Sequence, residues 1–332
     1  MKTLGLIILA MLPGLPEAWA RPEVTMDEAT RKATGKALQF LATQQNSDGS
    51  WGSDRYPHNT AVTGFVLLAF MSQGHLPGQG LYGPEVGRGA RFLVASARPV
   101  DGYLIGPRGG NMYAHGMATL VLAELWGMTG SDEIKPVLER AVDLIVRCQS
   151  RDGGWRYDPQ PTGADISATI MQVMALRAAR NSGLHVPENT MTRAIEYINT
   201  CRDDASGGYR YQPTQKDAGV ARTAAGICVL HLTGNYDAKE IQKAADYLDR
   251  APENKQHYWY GQYYESHAMH QLGGKRWEEY YSKMKKMLLS TQGPSGSWTG
   301  PGWDNDVGLG YSTAVATIIL SIPLNYLPIF QN

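Results

Sequence analysis

Apolar positions recur along this chain at helical spacing, in two alternating styles. Between 134 and 148, Ile134, Val137, Leu138, Ala141, Val142, Ile145 and Cys148 fall at i, i+3, i+4, i+7 and i+8, opposite Arg140, Asp143 and Arg147. That spacing predicts a helix with one apolar stripe and one wet face. The next patterned segment, Asp165 to Leu176, is apolar or small nearly all round and predicts a helix buried on most sides. The same contrast returns with Asn59 to Gly74, Tyr113 to Gly130, Asp217 to Gly234, Tyr263 to Gly274 and Tyr311 to Ser321, each behind a half-polar partner. The first four of these close on Gly, a common helix stop.

The turns between partners repeat as well. Lys36 to Trp51 ends a helix, runs through Gln45 and Asp48-Gly49, and finishes on Trp51. The pattern returns as Arg140 to Trp155, with Gln149 and Gly153-Gly154. It returns again as Lys283 to Trp298, with Gln292 and Gly296. Weaker copies run from Arg88 to Tyr103 and from Arg193 to Tyr209, and a fifth starts at Lys243 and decays into Tyr258-Trp259-Tyr260. The anchors Phe40, Phe92, Leu144, Tyr197, Tyr247 and Met287 are spaced by 52, 52, 53, 50 and 40 residues. A period of this size decides the architecture. Six pairs of one half-exposed and one buried helix predict an all-α (α/α)6 barrel, with the buried helices as an inner ring and the Gly-x-Trp turns at one end. An open helical solenoid is the rival. Closure is preferred because six units can close and neither end carries a polar capping unit.

These repeats resemble the squalene–hopene cyclase and prenyltransferase repeat family, in which a basic residue, an aromatic–aliphatic pair, Gln and Gly-x-Trp recur. The likeness runs from about Thr30 to Ser321 and is most specific in the first, third and sixth copies. It implies an alpha-alpha toroid in which Gln45 with Trp51, Gln149 with Trp155, and Gln292 with Trp298 tie neighbouring units together outside the cavity. Two departures stand out. Triterpene cyclases of the family carry Asp-x-Asp-Asp, which is absent here. Protein prenyltransferase β subunits hold zinc through Asp-x-Cys and a later His, and the nearest match here is Asp165-Ile166-Ser167. Ser is a poor zinc ligand.

The chain opens on Lys2, an apolar run from Leu4 to Leu12, a Pro13-Gly14 break and Ala18-Trp19-Ala20. This predicts a signal peptide over 1–20, cleavage near Ala20, and an exported mature chain over 21–332 that forms a single toroid domain. No later segment is apolar enough to span a bilayer. Lys plus Arg and Asp plus Glu are equal at 31 each, so nothing in the charge speaks for nucleic acid. Cys148 and Cys201 occupy matching positions in consecutive outer helices, where a bridge needs inward-facing geometry; Cys228 sits on an inner helix. The apolar tail from Pro323 to Phe330 is expected to pack on the outer helices or across one mouth.

In a closed barrel the starts of the inner helices converge on one cavity mouth. That places His58, Asn59, Tyr113, His115, Asp165, Asp217 and Arg222 near each other. Tyr260, Tyr264, Glu265, His267, His270, Trp303, Asp304, Asp306 and Tyr311 are expected beside them. Three readings compete. His115, Asp165, Asp217 and His267 bind a divalent metal; Asp165 and Asp217 work as acid and base beside cation- or sugar-holding aromatics; or both Asp residues are plain helix N-caps and the His residues satisfied core groups. Function divides accordingly. The family likeness implies a terpene cyclase- or prenyltransferase-like protein that takes a small or lipid-like isoprenoid ligand. A carbohydrate-active lyase or hydrolase on the same fold, or a non-catalytic binding toroid, are the alternatives.

Overall fold

The computed structural model describes residues 24–234, 238–252, 257–301 and 304–331. The expected leader with its cleavage point at Ala20, and Trp303, lie outside the described residues. The helices come in pairs: α1 (Glu28–Thr43) with α2 (Thr60–Met71), α3 (Gly83–Ala95) with α4 (Met112–Thr129), and α5 (Lys135–Arg147) with α6 (Ile166–Asn181). They continue with α7 (Glu188–Thr200) and α8 (Val220–Leu232), then α9 (Ala238–Arg250) and α10 (Tyr258–Leu272). The last pair is α11 (Gly274–Thr291) and α13 (Leu309–Ser321), with the short α12 (Asp304–Val307) between them. Nearly every residue of α2 and α13 is buried, whereas α5 buries only the stripe through Val137, Leu138, Ala141, Val142, Leu144 and Ile145. The two sequence styles are therefore the inner and outer layers.

The inner helices α2, α4, α6, α8, α10 and α13 pack in that order, and α13 packs back on α2, so the ring is closed. The repeated turns close it from outside. Gln149 Nε2 donates to the carbonyls of Gly153 at 2.7 Å and Thr190 at 2.8 Å, the latter in the next outer helix. Gln45 does the same to Gly49 and Glu85, and Gln292 to Gly296 and Ala33, which joins the last unit to the first. The indole N–H groups of Trp51, Trp155 and Trp298 donate to Leu41, Ile145 and Leu288. Each joint also needs its Gly. Gly153 has φ +94°, and a Cβ there would sit 2.3 Å from the Arg193 carbonyl oxygen. Left-handed backbone and the absent side chain are both required.

Two helix starts differ from the expected ones. α8 begins at Val220 with Gly219 as its N-cap, so Asp217 does not cap it: its side chain is exposed and its carbonyl accepts from Arg222 Nη2 at 3.0 Å. α10 begins at Tyr258 rather than Tyr263, because the decayed Tyr258-Trp259-Tyr260 turn is itself helical. All three cysteines are buried and free, so Cys148 and Cys201 are not bridged. The tail crosses the end of the ring where the inner helices terminate. The Ile329 N–H donates to Glu124 Oε2 of α4 at 3.1 Å, and Phe330 stacks on His267 of α10 with ring centres 3.5 Å apart. Leu327, Ile329 and Phe330 are buried there.

Candidate ligand cavity

The opposite end of the ring is hollow. A cavity of 1140 Å³ opens where the inner helices begin. Asn59 and Asn111 each turn a side-chain oxygen onto the first turn of α2 or α4, which leaves the rest of each helix start to form wall. Eight Phe and Tyr rings line the space: Tyr56, Phe65, Tyr113, Tyr157, Tyr211, Tyr247, Tyr260 and Tyr311. Phe65 and Tyr311 pack edge to face with centres 5.1 Å apart, and Tyr260 meets Tyr264 behind it the same way at 5.0 Å. Burial raises the Tyr113, Tyr260 and Tyr311 hydroxyls above their ordinary pKa, so they stay neutral. The charged lining is arginine: Arg55, Arg108 and Arg222. No Asp or Glu lines the cavity among the described residues.

Of the residues expected at the mouth, Asn59, Tyr113, Arg222, Tyr260 and Tyr311 line the cavity. Tyr264 lies just behind the wall, with its hydroxyl 3.5 Å from that of Tyr113. Asp306 stands at the rim, paired with Arg55. Asp165 is fully buried behind the wall. One of its oxygens caps α6 through the Ala168 N–H at 2.9 Å; the other faces the Arg156 guanidinium at 3.8 Å and has no hydrogen-bond partner. Burial outweighs these partners and holds its carboxyl above the usual range. Asp217 is out in solvent, so the two carboxylates do not meet across the cavity.

His115 and His267 are elsewhere. His115 Nδ1 accepts from the Leu104 N–H at 3.1 Å. Its Nε2 must then carry the proton, which it donates to the Ala141 carbonyl at 3.1 Å. Thr63, Thr169, Thr223 and Thr313 accept the equivalent turn N–H in four other units, so His115 is a joint residue. Burial lowers its pKa to about 4. His267 sits at the sealed end against Phe330, since α10 starts five residues early and carries it past the mouth. The four proposed metal ligands therefore do not converge, and no three His, Cys, Asp or Glu come together among the described residues. The zinc that the family likeness implies does not fit either: Asp165 is committed to the helix start, and Ser167 offers only a hydroxyl to the cavity wall.

His58 belongs to a different cluster. Its Nδ1 lies 2.7 Å from Asp48 Oδ2 and 3.0 Å from Ser50 Oγ, and Ser50 Oγ donates to Asp48 Oδ1 at 2.6 Å. Serine and imidazole both turn to one carboxylate, so no base is left for a nucleophilic serine. The cluster instead holds His58 at φ +50°, just before α2.

Tyr157 and Tyr211 are cavity residues that the sequence reading passed over. Both stand two places after a unit's aromatic anchor, in Trp155-Arg156-Tyr157 and Tyr209-Arg210-Tyr211, and this recurrence is the signal that marks them. Their carbonyls accept the first helical N–H groups of the preceding units, Met112 at 2.9 Å and Ile166 at 3.0 Å, which fixes the two phenols over the mouth.

Residues 20–250 match the prenyltransferase alpha-alpha toroid domain. The chain belongs to this family. No curated protein matches the toroid's sequence. Among solved structures, an inactive variant of an alpha-1,6-mannanase of Salegentibacter sp. HEL1_6, in complex with alpha-1,6-mannotriose, is 11% identical. It covers 89% of this chain and 99% of its own, with a TM-score of 0.67. Cellobiose 2-epimerase from Spirochaeta thermophila DSM 6192 is 14% identical over 91% and 99%, with a TM-score of 0.67. The type II terpene cyclase MstE from Scytonema, without ligand, is 16% identical over 90% and 99%, with a TM-score of 0.62. At such identities these likenesses speak for the fold. No helix among the described residues is long and apolar enough to cross a membrane.

Proposed function

We propose that this toroid encloses an isoprenoid or similarly lipid-like molecule in its barrel cavity, as an exported protein. The observation that carries the reading is a 1140 Å³ cavity walled by eight aromatic rings with no carboxylate among its described lining residues. Apolar surface of that kind rewards an apolar ligand body, and a few placed polar groups orient it. The polar end of the ligand belongs at the rim. Arg222 there carries a buried Nε without a hydrogen-bond partner, and the N-termini of the inner helices favour negative charge. A sugar hydrolase would need two carboxyl groups about 5 to 9 Å apart at the cavity. Asp165 is behind the wall and Asp217 in solvent, so that alternative has no acid–base pair here.

Chemistry at the wall rests with hydroxyl groups. Tyr211 stands between the cavity and the buried Asp165, whose carboxyl burial holds above its usual range. Asp165 thus lies behind Tyr211 and does not itself touch ligand. Native mass spectrometry of the mature protein, followed by organic extraction and denaturation, is the test. A lipid-like mass released on denaturation is expected. A protein that purifies empty and takes up neither geranylgeraniol nor farnesol would overturn the reading. The same spectra give the mature N-terminus, expected at Arg21.

A further inference from the structure

The balanced charge of the chain is unevenly placed. From 29 to 47 the sequence holds Arg31, Lys32 and Lys36 and neither Asp nor Glu. From 280 to 301 it holds Lys283, Lys285 and Lys286, again without an acid. Both signs total 31 in the whole chain, so everything outside these two stretches is net negative. The stretches belong to α1 and α11, the first and last outer helices, and closure of the ring makes them neighbours. Gln292 Nε2 donates to the Ala33 carbonyl at 2.9 Å, and Lys285 Nζ to Asp27 Oδ2 at 3.1 Å.

One basic wall results. Arg31, Lys32 and Lys36 are exposed on α1, and Lys283 and Lys286 on α11, while Ala37, Leu41, Met284 and Leu288 turn inward. Lys285 is paired with Asp27, and the other five form no ion pair among the described residues. The acids of the two helices, Asp27, Glu28, Glu278 and Glu279, stand at their opening turns. The outer helix α5 shows the contrast: Glu139, Arg140, Asp143 and Arg147 alternate in sign.

We propose that the α1–α11 wall is a docking face for a bilayer carrying anionic phospholipid. Five of its six cations are lysines, point charges on flexible stems without the fork that grips one phosphate in a set geometry. None is buried and none lines the cavity. The exposed positions between them are Gly35, Gln39, Ser282 and Ser290, so the wall has no apolar anchor of the kind at the centre of a protein interface. Charge without shape suits a fluid anionic surface, whose headgroups move to meet each lysine and whose attraction adds along the patch. The helices run along the barrel, so docking lays it on its side with the mouth at the edge of the contact. This face serves whatever the cavity holds.

Flotation of the mature protein with vesicles is the test, using phosphatidylcholine alone and phosphatidylcholine with about 40% phosphatidylglycerol. At about 0.05 M NaCl the mixed vesicles should bind at least about tenfold more tightly, and about 0.5 M NaCl should abolish the difference. Lys32→Glu/Lys286→Glu should weaken binding by about tenfold or more. Arg151→Glu/Lys216→Glu changes net charge equally at exposed positions on the mouth turns, and should weaken it by less than about threefold. Equal losses in the two variants would overturn this face. Equal binding to both vesicles, or binding indifferent to salt, would overturn the docking itself. Capture on poly-glutamate beads without flotation would overturn the bilayer in favour of an acidic polypeptide. If the first variant does not fold, Lys32→Gln/Lys286→Gln takes its place, with an expected loss of at least about threefold and no loss counting against the wall.

Discussion

The two ends of the barrel are made from the same six inner helices and finish as opposites. At the mouth the helix N-termini face a 1140 Å³ hollow, rimmed by arginines and tyrosines. At the other end the C-termini face the tail, and the residual hollow beside His267 and His270 measures 20 Å³, room for about one water. Helix direction accounts for part of the difference. The N-terminal end carries partial positive charge and suits a polar or anionic ligand group, whereas the C-terminal end does not. The rest is the tail, which places Leu327, Ile329 and Phe330 where a ligand would otherwise extend. One ring thus has an open face and a sealed face, and substitutions should sort by face.

The largest effect should come from ending the chain at Ser321. Four buried side chains are lost, Ile322, Leu327, Ile329 and Phe330. At about 1.5 kcal/mol or more for each, urea unfolding should register a loss of roughly 6 kcal/mol. Stability unaltered by this truncation would break the comparison. Phe330→Ala alone should cost about 4 kcal/mol and expose His267 to solvent.

The pH profile comes next. Burial raises Glu124, beneath the tail, from 4.5 to about 7. The folded chain then binds more protons than the unfolded chain across that window. Its contribution is full below about pH 4.5 and is lost as pH rises to about 7, about 3 kcal/mol in all. His115 runs the other way: its pKa falls from 6.5 to about 4 in the folded chain. That contribution is full above about pH 6.5 and is lost, again by about 3 kcal/mol, as pH falls to about 4. The two slopes oppose each other between about pH 4.5 and 6.5, so each is read as the difference between a single variant and the wild type. Glu124→Gln should uncover a stability that rises with pH, and His115→Thr one that falls. Two flat single variants would refute both assignments.

The smallest stability effect belongs to the mouth. Arg222→Ala should move unfolding by less than about 0.5 kcal/mol while weakening dansyl-farnesol binding about tenfold. A large stability loss with unchanged binding would make Arg222 a scaffold residue.

The ring was readable in advance because its evidence is repeated. Gln45, Gln149 and Gln292 carry one message three times, and the structure gives all three the same two carbonyl partners. The site was half readable because it depends on where single helices start. A five-residue error at α10 moved His267 from the sealed end to the mouth, and a two-residue error at α8 made a cap of exposed Asp217. His115 misled for another reason. In a repeat protein one odd residue at a regular position draws notice as chemistry, but here histidine performs the acceptor role that threonine fills in other units. Tyr157 and Tyr211 went unseen because nothing in composition separates a cavity tyrosine from any other. Only their shared position two beyond the anchor does.

The joint from Gln292 and Gly296 to α1 has a consequence in time. α1 is the first of the described helices in chain order, yet its carbonyls at Ala33 and Lys36 receive their neighbours from residues near the other end of the chain. Contacts spanning about 260 residues form late in any folding sequence, since so long a loop must close first. The opening helix therefore waits, stripe exposed, for the closing one.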